Sequence, residues 1–137
     1  MKAFIDTSAL LKRYTYEKGS HELYHFLESV SEIVVAPVVG LEIASALKRK
    51  VREKIISPAQ SADIFKEFQI DLFAFQKVNW SELLVERSIK IINKHEIKTL
   101  DSIQLASGYI SEADIFVTSD KILAEKAKKE LKKVEFI

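Results

Sequence analysis

Three short apolar runs constrain this chain more than any other feature. They are Ala3-Phe4-Ile5, Ile33-Val34-Val35-Ala36 and Ile115-Phe116-Val117. None contains a polar residue, so none shows the alternation of a strand with one wet face. Such runs read as strands buried on both sides, the situation of a parallel sheet. Each is followed by apolar residues three and four apart, the spacing of one helix face. Leu10, Leu11 and Tyr14 follow the first run, then Leu23, Phe26, Leu27 and Val30 after a break at Gly19. Val39, Ile43 and Leu47 follow the second, and Leu123, Ala127 and Leu131 the third. Strands alternating with helices predict a parallel sheet with helices on both faces and right-handed crossovers. The expected fold class is therefore α/β, a three-layer α/β/α arrangement around a central, mainly parallel sheet. With 137 residues, residues 1–137 are read as one domain.

The remaining segments fill in the same scheme. Pro37 ends the second strand. Ser57-Pro58-Ala59-Gln60 is a helix start in which Ser57 caps, Pro58 takes the first position and Gln60 closes a capping box. Phe65, Phe68, Leu72 and Phe75 continue that helix. Lys77-Val78-Asn79 reads as a short strand, and Asn79 with Glu82 as a further cap, opening a helix that buries Val85, Ile89 and Ile92. Another helix carries Ile103, Ala106 and Ile110 inward, and Val134-Glu135-Phe136-Ile137 closes the chain as a last strand. Cysteine is absent, which excludes disulfides and thiolate metal sites. No apolar run approaches the roughly 20 residues of a membrane span. Asp6 interrupts the apolar N-terminus too early for a signal peptide. No membrane role and a cytoplasmic location are expected. The net charge of +1 announces no nucleic-acid binder, so such a role must rest on local clusters.

Four acids stand where a parallel sheet places ligand sites, at strand tips and the starts of the following helices. Asp6 and Asp120 come directly after strands; Asp101 lies in a helix's first turn; Glu42 lies in the helix after the second strand. Taken singly, an Asp at such a position is often a cap or is favoured by the helix dipole. Glu42 lies in a small, apolar stretch, where a partly buried charge needs a partner. Together the four carboxylates raise one another's pKa unless a cation intervenes. Hard divalent cations with oxygen ligands meet that need. Ser8, Thr118 and Ser119 are placed to orient the carboxylates.

These residues resemble a known pattern. Phe4-Ile5-Asp6-Thr7-Ser8-Ala9-Leu10, the Glu42 helix, Leu100-Asp101-Ser102-Ile103-Gln104-Leu105-Ala106 and Val117-Thr118-Ser119-Asp120 are similar, in order and spacing, to the four motifs of PIN-domain ribonucleases. The short length looks most like the VapC-type toxins of toxin–antitoxin pairs. The resemblance implies an endoribonuclease dependent on Mg²⁺ or Mn²⁺, with Asp6, Glu42, Asp101 and Asp120 as the catalytic and metal-binding acids. It also implies a homodimer and a small antitoxin that blocks the site. One position departs: some members carry a further acid two residues past the fourth Asp, where this chain has Ile122. A non-catalytic PIN-like module that binds RNA or protein is the alternative, and the intact set of acids speaks against it.

His21-Glu22-Leu23-Tyr24-His25 satisfies the H-E-x-x-H pattern of zinc metalloproteases. The apolar face of its helix points away from both histidines, and no third ligand stands nearby. Two surface histidines are the expected reading, and His95, in a polar loop, is expected to face solvent as well. Among the basic clusters, Lys48 and Arg49 share the Glu42 helix, roughly 10 Å along it at a rise of about 1.5 Å per residue. They are the expected contacts to an RNA backbone, and Tyr14, Tyr16 and Trp80 are the aromatics free to stack on a base.

Overall fold

The computed structural model describes residues 1–137. Its sheet has five strands: β1 (Lys2–Ile5), β2 (Glu32–Val35), β3 (Gln76–Lys77), β4 (Ile115–Thr118) and β5 (Val134–Phe136). Their order is β3-β2-β1-β4-β5, and every pair is parallel. The three apolar runs are the three inner strands. β1 is the middle one, and Ala3, Phe4 and Ile5 are fully buried. Because neighbouring side chains on a strand point to opposite faces, β1 serves two cores. Ala3 and Ile5 pack with Val35, Val39, Ile43, Leu47 and Phe68 on one side. Phe4 packs with Leu84, Ile91, Leu105, Phe116 and Leu123 on the other. This is the three-layer α/β/α arrangement expected from the alternation.

The helices divide accordingly. The first core is covered by α1 (Thr7–Leu10), α2 (Ser20–Leu27), α3 (Val39–Arg52) and α4 (Pro58–Leu72). The second is covered by α5 (Glu82–Lys94), α6 (Thr99–Ile110) and α7 (Lys121–Ala127). Gly19 has φ +91°, a left-handed conformation that stops the chain before α2. The capping box of α4 forms in full, with Ser57 Oγ accepting from Gln60 and Gln60 Oε1 accepting from Ser57.

Two local expectations are corrected. The cap of α5 is Ser81, whose hydroxyl accepts from Leu84 N at 3.1 Å, rather than Asn79. Its buried face is Leu84, Ser88 and Ile91, while Val85, Ile89 and Ile92 are exposed. Both faces of that helix carry apolar residues, so spacing alone does not say which one turns inward. No helix is long and apolar enough to cross a membrane.

The second core contains one close approach. Phe4 and Phe116 stack with ring centroids 5.2 Å apart. A Cβ added to Gly108 of α6 would stand 2.5 Å from the Phe116 ring. Gly108→Ala gains helix propensity but must displace that ring pair, and overpacking typically costs about 1–3 kcal/mol. A lower melting temperature is the expected result, and an unchanged or raised one would show that the ring gives way freely.

Candidate metal centre

All five strands run the same way, so their C-terminal ends share one edge, and that edge gathers the acids. Asp6 follows β1, and its backbone carbonyl accepts from Ala9 and Leu10 at the start of α1. Its side chain does not cap that helix. Instead Asp6 Oδ2 accepts from the hydroxyls of Ser8 and Thr118, both at 2.6 Å. Asp6 is only 4% exposed. Burial pushes its carboxyl above the ordinary value; the Ser8 and Thr118 bonds oppose the rise, and the charge of Asp101 adds to it.

Glu42, half-buried in the first turn of α3, repeats this pattern with different partners. Its Oε1 accepts from Thr7 Oγ1 at 3.2 Å and from Gln104 Nε2 at 2.5 Å. Burial again raises the carboxyl, the Gln104 bond lowers it, and Asp6 raises it further. Asp101 lies in the first turn of α6. Burial and then the neighbouring Asp120 raise it, against a lowering pull from Lys98 and Lys126. Asp120 is the one acid whose side chain does cap a helix, accepting from Leu123 N at 3.0 Å in α7. The four acids line one open pocket of about 460 Å³, together with Thr7, Ser8, Leu41, Leu100 and Arg49.

The chemistry of this set suits a hard cation. Every donor is oxygen, and Asp6 and Glu42 each have one oxygen pinned by two side-chain donors. No three His, Asp or Glu side chains stand close enough to form a complete protein cage.

Comparison with protein families matches residues 3–129 to the PIN domain. The chain belongs to the PIN-domain family. Solved structures agree in fold with this PIN domain. A toxin–antitoxin complex from Klebsiella pneumoniae matches at TM-score 0.66 and 18% identity, over 86% of each chain. VapBC2 from Rickettsia felis, bound to a DNA fragment from its promoter, matches at TM-score 0.70 and 12% identity, over 100% of this chain and 99% of that one. A Pyrobaculum aerophilum protein matches at TM-score 0.71 and 16% identity, over 96% of this chain and 88% of that one. Curated proteins gave no match.

Other expected residues fall less evenly around the PIN-domain pocket. Ser8 and Thr118 donate to Asp6, but Ser119 does not hold an acid. Its backbone N–H donates to Ser8 Oγ at 3.0 Å, while its own buried hydroxyl has no partner. Thr7 and Gln104 perform for Glu42 what Ser119 was expected to perform. Both stand inside the quoted motifs, yet only the tertiary contact shows their direction. Arg49 borders the acidic pocket, whereas Lys48 turns to a separate apolar groove between α3 and α4 with Leu47, Val51 and Phe65. Consecutive residues on a helix point about 100° apart, so these two neighbours face different sides of α3.

Three more readings change or resolve. Tyr14 is not free to stack, because its hydroxyl donates to Asp71 at 2.9 Å and its ring meets Phe68 edge-on. His21 Nε2 pairs with the Tyr16 hydroxyl, and His25 pairs with Glu28 from a side chain 88% exposed. Neither histidine joins a cluster of metal-binding side chains. His95 does not face solvent: its side chain is 6% exposed and bonds Glu130 Oε1 at 2.7 Å. Burial alone would raise the Glu130 carboxyl, but hydrogen bonds from Lys94 and His95 outweigh it and lower the value. With the contact from Lys126 Nζ to Glu96 O, this pair ties the loop before α6 to the end of α7, steadying the two elements that carry Asp101 and Asp120.

Proposed function

We propose that this PIN domain is a divalent-metal-dependent endoribonuclease that hydrolyses RNA phosphodiester bonds as the toxin of a toxin–antitoxin pair. The carrying observation is the arrival of Asp6, Glu42, Asp101 and Asp120 at one pocket from four separate elements. Each of the first three is held above its ordinary pKa, and burial is the leading cause. A fold gains nothing in stability from burying such charges together, so the arrangement is read as a cation site. Asp6 and Asp101 are assigned as direct ligands, and Glu42 and Asp120 as ligands or holders of water. When bound, Mg²⁺ or Mn²⁺ supplies an activated water and neutralises charge that develops on the phosphate. Ser8 and Thr118 orient the Asp6 carboxylate. Arg49, at the pocket border, is placed to meet a substrate phosphate and offset the acids' repulsion of RNA.

The surface and the fold support the partner part of this reading. The exposed stripe Val85, Ile89 and Ile92 on α5 is an apolar patch of the kind that marks a protein contact. It supports a homodimer or an antitoxin seat. The fold shared with toxin–antitoxin proteins supports the antitoxin, and a cytoplasmic location is part of the same proposal. The test is cleavage of a structured RNA by the purified chain. Cleavage is expected with Mg²⁺ or Mn²⁺, loss in EDTA, and loss in Asp101→Asn. Absence of cleavage with either ion would overturn the ribonuclease reading and leave a binding module.

A further inference from the structure

Gln104 is an uneconomical residue for a packed interior. It is 1% exposed, and its carbonyl oxygen Oε1 has no hydrogen-bond donor. Folding alone would favour an apolar side chain of the same length at this place, since an unmet buried acceptor costs stability. Unsatisfied buried groups that persist commonly do so for a functional reason. The other end of the amide indicates one. Gln104 Nε2 donates to Thr7 Oγ1 at 2.8 Å and to Glu42 Oε1 at 2.5 Å, while Thr7 Oγ1 itself donates to Glu42 Oε1. Both donors converge on one carboxylate oxygen, and Glu42 Oε2 is left free at the pocket.

The position in the chain makes this more than a local bond. Gln104 lies three residues after Asp101 on α6, so the two side chains are neighbours on the helix surface. Thr7 directly follows Asp6. A single amide therefore connects the segments that carry Asp6, Glu42 and Asp101. We infer that Gln104, acting with Thr7, is a positioning residue that pins one oxygen of Glu42 so that the other is presented to a divalent cation. This rests on the metal-site reading above. Partners of this kind orient ligands, and losing one typically costs about 10- to 100-fold in metal affinity or activity.

The test is Mn²⁺ titration of the purified chain by calorimetry, with melting curves in EDTA alongside. Gln104→Met keeps the length and removes the donor. A cooperative metal-free melt is expected to show that it folds, with Mn²⁺ binding about 10- to 100-fold weaker. In a Glu42→Gln background the same change is expected to cost less than about twofold, because a side chain that acts through Glu42 has nothing left to hold. RNA cleavage should lose kcat with KM unchanged. Equal Mn²⁺ affinity in Gln104→Met, or the same loss with and without Glu42, overturns the inference. If Gln104→Met does not fold, Thr7→Val removes the companion donor at constant shape. Weaker Mn²⁺ binding that disappears in the Glu42→Gln background supports the inference, and unchanged binding overturns it. Should the unaltered chain bind no Mn²⁺, both readings fall. If it binds Mn²⁺ without cutting RNA, and Gln104→Met weakens binding, the ribonuclease reading falls alone.

Discussion

Asp6→Asn is expected to lower metal-dependent RNA cleavage roughly 10³-fold, the upper range for removing one preorganised electrostatic group, while the metal-free protein melts no lower than before. The two halves of this result have one cause. Asp6 is almost wholly enclosed, and enclosure holds its carboxyl above the ordinary value near 3.8. Burial therefore favours the protonated form of Asp6 in the folded state, and ionising it costs stability. Asparagine has the same shape and no charge, and its carbonyl oxygen can still accept from Ser8 and Thr118. The stability advantage of Asp6→Asn should shrink as pH falls through the raised value, because protonation removes the same buried charge. Cleavage and melting measured on the same preparation check both halves. Retained cleavage would remove Asp6 from the chemistry, and a large drop in melting temperature would show that Asp6 is structural.

The second large effect is the response of stability to cation and pH together. Asp6, Glu42 and Asp101 have folded pKa values raised above their unfolded ones. For an acid, this sign means that the folded state binds the proton more tightly, so stability increases as pH falls through the raised values. Glu130 has the opposite sign: its contribution is present above about 4.5 and is lost as pH falls through its lowered folded value. In EDTA the melting temperature should therefore rise from pH 8 towards the upper edge of the carboxylate range, then fall below it. Mn²⁺ should reverse the first part. A ligand at one hundred times its Kd adds about 2.7 kcal/mol to stability. For a chain of this length that is about 10 °C, taking roughly 4 °C per kcal/mol. The gain should be largest at high pH, since protons and cation compete for the same oxygens. A metal-free profile that falls steadily from pH 8 to 5, or Mn²⁺ that shifts nothing, would contradict the charge state assigned to the site.

Much of this was legible in the order of residues. Ala3-Phe4-Ile5, Ile33 to Ala36 and Ile115 to Val117 are short, apolar and bounded, so they had few options besides inner parallel strands. Once they pair in one direction, Asp6 and Asp120 must emerge at the same edge, and Glu42 and Asp101 enter from helix starts beside it. Strand directions and acid positions are local properties, carried by runs of four or five residues.

What the order of residues could not decide was which side chain meets which across the molecule. Gln104 reaches Thr7 over 97 positions and Glu42 over 62, and such a contact leaves no periodic trace. Ser119 and Thr7 are both hydroxyl residues beside an acid, yet the backbone turn aims only Thr7 at a carboxylate. The α5 helix is apolar on two faces, and packing against α6 chose Leu84 and Ile91 over Val85 and Ile89. His95 looked like a loop residue until Glu130, 35 positions later, closed over it. Sequence by itself determined that acids would collect at one end of a parallel sheet, because backbone direction follows from local pattern. Tertiary structure decided how each acid is held, because hydrogen-bond direction and desolvation depend on neighbours that only the folded chain brings within 3 Å of one another.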